Sequence, residues 1–395
     1  MTRPLTVMLV AAEASGDSLG AGLARALTAR LGDQIRFVGV GGSRMAAEGV
    51  QSPFDIADLS ILGIFEAIPA YPRIRRRVAE TAALAVRERP DVAVLIDSWG
   101  FTLRVAHALR KAFPNLPLVK YVGPQVWATR PGRARTLAAS VDHLLSIHSF
   151  DAPWFEAEGL TTTFVGNPAL AKDFSKADPA RLRAAIGAAD DDDILLVLPG
   201  SRPAEIRLVL PAFEDAVKRL KDQRPGLHIV IPAANTVAET VAAQVAGWPH
   251  RAHVITDEQL KDDAFVAATV ALACSGTVTT ELALAGVPMV VGYRLGAMTH
   301  RILTLVFKSP WITLFNIAAK AFVAPEFVQD QCTGERLAAA VAERLDDPAL
   351  RARQTQAQNE ALAKMGRGGP DPSEAAADTI LKLLAERSAT TVQES

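Results

Sequence analysis

Four stretches of this 395-residue chain carry residues whose types and spacing suit chemistry. Leu198-Pro199-Gly200-Ser201-Arg202 lies where an apolar run ends and a helical pattern begins. An arginine there can contact phosphate in bidentate fashion, beside the free amides of a helix N-terminus. Ser275-Gly276-Thr277 holds the same kind of position after Val270–Cys274, and Glu281 follows Thr277 by four residues, on the same helix face. A carboxylate within so apolar a stretch is costly unless something bonds to it, and ribose hydroxyls are natural partners. Asp97 ends the apolar run Val92–Ile96 ahead of Ser98-Trp99-Gly100. That location suits a general base for a substrate hydroxyl, or else an N-cap for the following helix.

The fourth stretch, Glu13-Ala14-Ser15-Gly16-Asp17-Ser18, follows the first apolar run. Gly16 there suits a tight turn, while Ser15 or Asp17 could cap a helix or meet a ligand. Gly39-Val40-Gly41-Gly42-Ser43-Arg44 fails the dinucleotide pattern, because Arg44 stands where glycine is required and the motif follows the second strand. It reads as a turn with close backbone approach. Gly123-Pro124-Gln125-Val126-Trp127 brings an apolar ring and two-way hydrogen bonding, with Arg130, Arg133 and Arg135 behind it. Arg75-Arg76-Arg77 is a second basic cluster that reads as a solvated helix face. Phosphate loops of the G-x-x-x-x-G-K-[ST] type, G-x-S-x-G elbows and H-E-x-x-H are absent. The seven histidines show no metal spacing, so no metal is expected; Asp191 and Asp193 belong to a solvated acidic run.

Short apolar runs alternate with helical stretches, which predicts α/β architecture with parallel sheets buried on both faces. The runs are Leu5–Ala11, Phe37–Val40, Val92–Ile96, Leu118–Val122, Leu144–Ile147 and Thr163–Val165, then Ile194–Leu198, His228–Ile231, Val254–Thr256, Val270–Cys274 and Met289–Gly292. The composition shift after Asn167-Pro168 divides them into two Rossmann-like, doubly wound domains, residues 1–168 and 169–345, expected to face a cleft. Helices within 346–387 are expected to return to the first domain, and 388–395 to fray.

Composition narrows the function. With 42 Lys+Arg against 43 Asp+Glu, a net charge of −1 gives no reason to expect nucleic acid. Two cysteines, Cys274 and Cys332, exclude a disulfide scaffold and a four-cysteine zinc site. The run Ala264–Tyr293 has only Glu281 charged, yet Gly276, Gly286 and Pro288 cut it into buried pieces. The first apolar run leads straight into Glu13 and so reads as a strand, and a cytoplasmic location is expected.

Taken in order, these motifs resemble the lipid-A-disaccharide synthases, inverting glycosyltransferases of the two-Rossmann (GT-B) type. The resemblance runs from Ala11–Asp17 through Gly63-Ile64-Phe65-Glu66, Ile96-Asp97, Tyr121–Trp127, Leu198–Arg202, Ser275–Glu281, Pro288–Arg294 and Asn316 to Pro325-Glu326. It implies UDP-2,3-diacylglucosamine as donor, 2,3-diacylglucosamine 1-phosphate as acceptor, and no cofactor. It further implies Asp97 as base, with Gly200, Ser201, Arg202, Ser275, Gly276 and Thr277 around the UDP. Glu281 would hold the ribose and Asn316 would line the donor site. Ser15, Gly16, Asp17, Glu66, Gln125 and Trp127 would stand on the acceptor side.

The family commonly reads Ile-Asp-x-Pro-Asp-Phe-Asn where this chain has Ile96-Asp97-Ser98-Trp99-Gly100-Phe101-Thr102. The second Asp and the Asn are lost, which touches acceptor-side geometry but spares Asp97. Residues 296–324 are apolar but edged by His300, Arg301, Lys308 and Lys320, with Trp311 and Phe315 between. That pattern, together with Ile61–Tyr71, suits peripheral contact with the inner face of the cytoplasmic membrane, or else a buried helix pair. The resemblance also suggests a homodimer. The competing readings are another two-domain UDP-sugar transferase or epimerase, and a non-catalytic UDP-sugar-binding relative.

Overall fold

A computed structural model describes residues 3–59, 67–234, 236–296 and 309–393. The chain forms two compact units, residues 1–168 with 368–395, and residues 169–367.

The first unit follows the order β1 (Leu5–Ala11), α1 (Ala14–Leu31), β2 (Ile35–Val40), α2 (Ser43–Ala47), α3 (Ala67–Glu88), β3 (Val92–Ile96), α4 (Trp99–Ala112) and β4 (Leu118–Tyr121). It continues with α5 (Arg133–Ala138), β5 (His143–Ser146), α6 (Ala152–Glu156) and β6 (Thr162–Phe164). The six strands are parallel, in the order β2-β1-β3-β4-β5-β6. Successive residues of a strand point to opposite faces. Met8 and Val10 therefore enter a core with Leu84, Phe101 and Val105, while Val7 and Leu9 pack with Leu23 and Leu27 of α1. Both faces are dry, which is why the strands read as unbroken apolar runs.

Two glycines in this unit are fixed by close approach. A β-carbon at Gly39 would lie 1.8 Å from the Leu9 carbonyl oxygen. At Gly42 it would meet Asp17 Oδ2 at 2.8 Å. The second glycine-rich segment is thus a turn pressed against the neighbouring strand and helix, as its sequence suggests.

The second unit comprises α7 (Pro179–Ile186), β7 (Ile194–Leu198), α8 (Pro203–Gln223), β8 (His228–Pro232), α9 (Ala238–Val245), β9 (His253–Ile255), α10 (Glu258–Ala267), β10 (Val270–Cys274), α11 (Thr277–Leu284) and β11 (Met289–Tyr293). A short helix, Leu314–Ala319, and a last strand, β12 (Glu326–Val328), follow. Its six strands are also parallel, ordered β12-β11-β10-β7-β8-β9. The apolar run 264–293 is resolved into α10, β10, α11 and β11, all core elements. Among the described residues no helix is long and apolar enough to cross a membrane.

Three features differ from the sequence reading. Strand β12 has only three residues, half-buried, too few to show a period. Helix α1 begins at Ala14 rather than near Ser18, so Gly16 lies inside its first turn and not in a tight turn. Of the closing helices, Pro348–Lys364 stays with the second unit, where Gln354 and Gln358 donate side-chain N–H bonds to the carbonyls of Met289 and Val287. Only Pro372–Gln393 joins the first, placing Ala376, Ala377 and Ile380 against the α1 core.

Candidate active site

Ligands in open α/β sheets bind beyond the carboxyl ends of the strands, where the strand order reverses. In the first unit β1 lies between β2 and β3, so the reversal falls between β1 and β3. In the second unit β7 lies between β8 and β10, and the reversal falls between β7 and β10. The segments leaving these four strands begin at residues 12, 97, 199 and 275. They are the four stretches singled out by residue type.

At the first reversal Ser15 Oγ donates to Asp97 Oδ2 at 3.0 Å. The backbone beneath is strained: Asp97 has φ +49°, Ser98 φ +37°, and Val122, on the next strand's exit, φ +70°. Left-handed φ at non-glycine residues costs on the order of 1–3 kcal/mol each and concentrates at functional sites. Thr102, the residue in place of the family's Asn, is fully buried. Its hydroxyl lies 2.8 and 2.9 Å from the carbonyl oxygens of Asp97 and Ser98. Lys120 Nζ donates to that hydroxyl at 2.9 Å and also to the Asp97 carbonyl. Burial pulls the Lys120 ammonium down to about 7, against the opposing pull of the Asp97 and Glu13 carboxylates. The sequence reading missed Lys120. Its signal was present: a single charge in the run Leu118-Val119-Lys120-Tyr121-Val122 must find a partner if the strand is buried.

Several residues placed on the acceptor side do other work. The buried Asp17 carboxylate accepts from the backbone amides of Gly42, Met45 and Arg44 at 2.7, 3.0 and 3.0 Å. It anchors the start of α2 and leaves no face for a ligand. Gly16 is buried, and its missing side chain admits Ala11 and Ile96 beside α1. Trp127 offers no free ring. It packs edge-on to Phe150, with centroids 5.2 Å apart, and donates its indole N–H to buried Asp151 at 2.9 Å. Gln125 is exposed on the turn after β4. Glu66 and the rest of Gly63–Glu66 lie outside the described residues.

The second reversal brings the two other segments side by side, because Leu198 pairs with Ala273. Gly200, at φ +110°, has room for no β-carbon without pressing Glu205 Oε2 at 3.0 Å. Arg202 occupies the N-cap position of α8 without a side-chain cap bond and is exposed, its guanidinium 2.8 Å from Glu205 Oε1. Ser201, Gly276 and Thr277 are exposed too, so the N-termini of α8 and α11 open together.

Glu281 has a protein partner that the sequence did not reveal. Lys172 Nζ lies 2.7 Å from its Oε2 and 3.1 Å from Asp262 Oδ1. Burial depresses Lys172, but these two carboxylates outweigh it and hold its ammonium above the ordinary lysine value. Ribose is therefore not needed to satisfy Glu281, though its side chain remains part-exposed.

Asn316 does not line a surface. It is fully buried, and its amide is saturated. Nδ2 donates to the Ala324 carbonyl and to Glu326 Oε1 at 2.9 and 2.7 Å, while Oδ1 accepts from the amides of Val323 and Ala324. Glu326 in turn accepts from the backbone amides of Ile312 and Thr313. The Ile312 carbonyl accepts from Ser275 Oγ at 3.3 Å. Asn316 thus supports the segment that supports Ser275.

Among the described residues no group of three or more His, Cys, Asp or Glu could hold a metal ion. In the acidic run, Asp192 accepts from the Ala189 amide and pairs with His228, while Asp191 is exposed.

The profile of the family described as lipid-A-disaccharide synthetase matches residues 7–379. The chain belongs to that family. A lipid-A-disaccharide synthase of Rhodospirillum centenum is 41% identical over 385 residues, covering 98% of this chain and 96% of the relative. One of Nitrobacter hamburgensis is 42% identical over 379 residues, covering 96% and 95%. Among solved structures, the chain resembles S. aureus MnaA in a co-structure with UDP, with TM-score 0.62, 15% identity and 94% of each chain covered. It also resembles MurG of Acinetobacter baumannii, with TM-score 0.54, 16% identity and 96% and 100% covered. At such identities the likeness is one of fold: two parallel α/β units of the GT-B type.

Proposed function

We propose that this member of the lipid-A-disaccharide synthetase family joins UDP-2,3-diacylglucosamine to 2,3-diacylglucosamine 1-phosphate, giving the β-1,6-linked disaccharide 1-phosphate and UDP. Family membership across nearly the whole chain supports the reaction. The observation that carries the residue roles is the coincidence of the four chemistry-bearing segments with the two strand-order reversals.

In this reading Asp97, held by Ser15, takes the proton of the acceptor 6-hydroxyl as its oxygen attacks the donor anomeric carbon from the face opposite UDP. The C1–O bond to UDP breaks, and the leaving diphosphate is stabilised by Arg202 and the amides of Ser201, Gly276 and Thr277. Arg202 exchanges Glu205 for phosphate, and Glu281 takes the ribose hydroxyls with its free oxygen. Charge stabilisation then comes from the guanidinium and helix N-termini, which fits a reaction run without metal. Asp17, Trp127 and Asn316 shape the scaffold behind these groups.

Lipid substrates also support a cytoplasmic protein that works at the inner membrane face. The exposed Phe322, 6.3 Å from the Trp311 ring and beside exposed Lys320, is the described group best suited to it. Phe315 is fully buried and takes no part. His300, Arg301, Lys308 and Ile61–Glu66 lie outside the described residues. A homodimer is compatible with this reading.

The test is an assay of the purified protein with both substrates and EDTA, following UDP and disaccharide together. Equal yields of the two, each requiring acceptor, are expected. UDP and free sugar formed without acceptor would instead make the protein an epimerase or hydrolase. UDP binding with no turnover would make it a binding protein.

A further inference from the structure

Lys120 is a buried amine that, among the described residues, has no carboxylate in its hydrogen-bonding shell. Its side chain is 3% exposed, and the pocket around it is lined by Leu95, Trp99, Leu103, Ala106, Leu137 and Val141. A methionine there would spare the protein the desolvation of an ammonium. What the nitrogen does touch is specific: the main-chain carbonyl of Asp97 and the hydroxyl of Thr102. That hydroxyl in turn reaches the carbonyls of Asp97 and Ser98, the two residues in left-handed backbone. Asp97 is tethered from the other side by its own amide, which donates to the Tyr121 carbonyl at 2.8 Å. The strained turn is therefore clamped by β4 and α4 together, and its direction determines where the Asp97 carboxylate points.

We infer that Lys120 and Thr102 form a positioning pair for Asp97, holding the 97–98 peptide in the conformation that presents the carboxylate to the acceptor hydroxyl. The inference rests on the reading of Asp97 as base. The pair touches no substrate. It converts a local conformation that costs free energy into the only one available. Lys120 and its register partner Leu95 lie on the sheet face covered by α4, so the clamp is built from behind the site.

The test compares Lys120→Met, Thr102→Val, Thr102→Ser and Asp97→Asn, each assayed for kcat, acceptor KM, UDP affinity and Tm. A misplaced base acts only in the transition state, so kcat falls while KM stays. Lys120→Met is expected to lower kcat about a hundredfold, the effect of a displacement near 1 Å. UDP affinity should be unchanged and Tm not lowered. Thr102→Val should lower kcat about tenfold, and Thr102→Ser, which keeps the hydroxyl, should restore it. Thr102→Val carries the test if Lys120→Met does not fold. Normal kcat in Lys120→Met and Thr102→Val beside an inactive Asp97→Asn would overturn the positioning role alone. Full activity in Asp97→Asn would overturn the base assignment, and the positioning role with it.

Discussion

Ser15 Oγ and Asp97 Oδ2 stand 3.0 Å apart although the residues are 82 positions apart in sequence. The bond bridges the exits of two adjacent parallel strands, β1 and β3, at the point where the strand order reverses. A hydroxyl donor on one oxygen leaves the other oxygen of Asp97 to accept a proton.

Replacing Asp97 by Asn keeps the shape and the Ser15 contact but removes the base. The expected result is a fall in kcat of about 10²- to 10⁴-fold, with UDP affinity unchanged. Ser15→Ala should cost only about five- to tenfold, the worth of one hydrogen bond to a part-buried carboxylate. Steady-state turnover and UDP titration check both.

Asn316→Ala should behave as a stability variant. It deletes four buried hydrogen bonds, one of them to Glu326. A loss of about 3 kcal/mol is expected. For a unit of this size that lowers Tm by about 6–12 °C. Below the transition, UDP affinity should persist, because no Asn316 atom reaches the surface. Calorimetry and UDP titration separate this outcome from a direct donor contact, which would abolish affinity in folded protein.

Glu281→Gln tests the ribose role against the structural one. Lys172 keeps Asp262 as a partner, so Tm should hardly move. UDP affinity should fall about tenfold if a charged acceptor to ribose is lost. An unchanged affinity would leave Glu281 as the counter-ion of Lys172 and nothing more.

A pH test concerns Asp151 and His148, which both lie against Trp127. Burial raises Asp151 from 3.8 to about 6, despite bonds from Ser146 and Trp127, and lowers His148 from 6.5 to about 4. Between about pH 4 and 6 folded Asp151 keeps a proton that the unfolded chain has released, so its contribution falls as pH rises. Between about pH 4 and 6.5 folded His148 refuses a proton that the unfolded chain binds, so its contribution rises with pH. The two slopes oppose. Relative to wild type, stability of Asp151→Asn should rise with pH across 4–6, and that of His148→Phe should fall. Urea midpoints at pH 4.5 and 6 decide it, and parallel wild-type and variant curves would refute the assignment.

Main-chain placement was legible in the sequence to a degree that side-chain direction was not. Val92–Ile96 is a strand as expected, and Asp97 ends it, because unbroken apolar residues leave a buried parallel strand little alternative. Asp17 shares its helix with Ser15, and nothing in the spacing shows that one side chain faces out while the other caps amides of residues 42–45. Asn316 depends on Glu326, in a strand too short to announce itself. Thr102 reads as a lost Asn until Lys120 is seen to hold it from strand β4.

The helix Pro372–Gln393 completes a body whose first strand is β1. Arg30 of α1 pairs with Asp378 at 2.6 Å, and Ala376, Ala377 and Ile380 cover Leu23 and Leu27. Residues translated after the whole second unit therefore seal a core begun before it. The unit encoded in the middle has all its strands translated before that seal exists. Until that helix is translated, the first unit lacks the residues that cover Leu23 and Leu27 of α1.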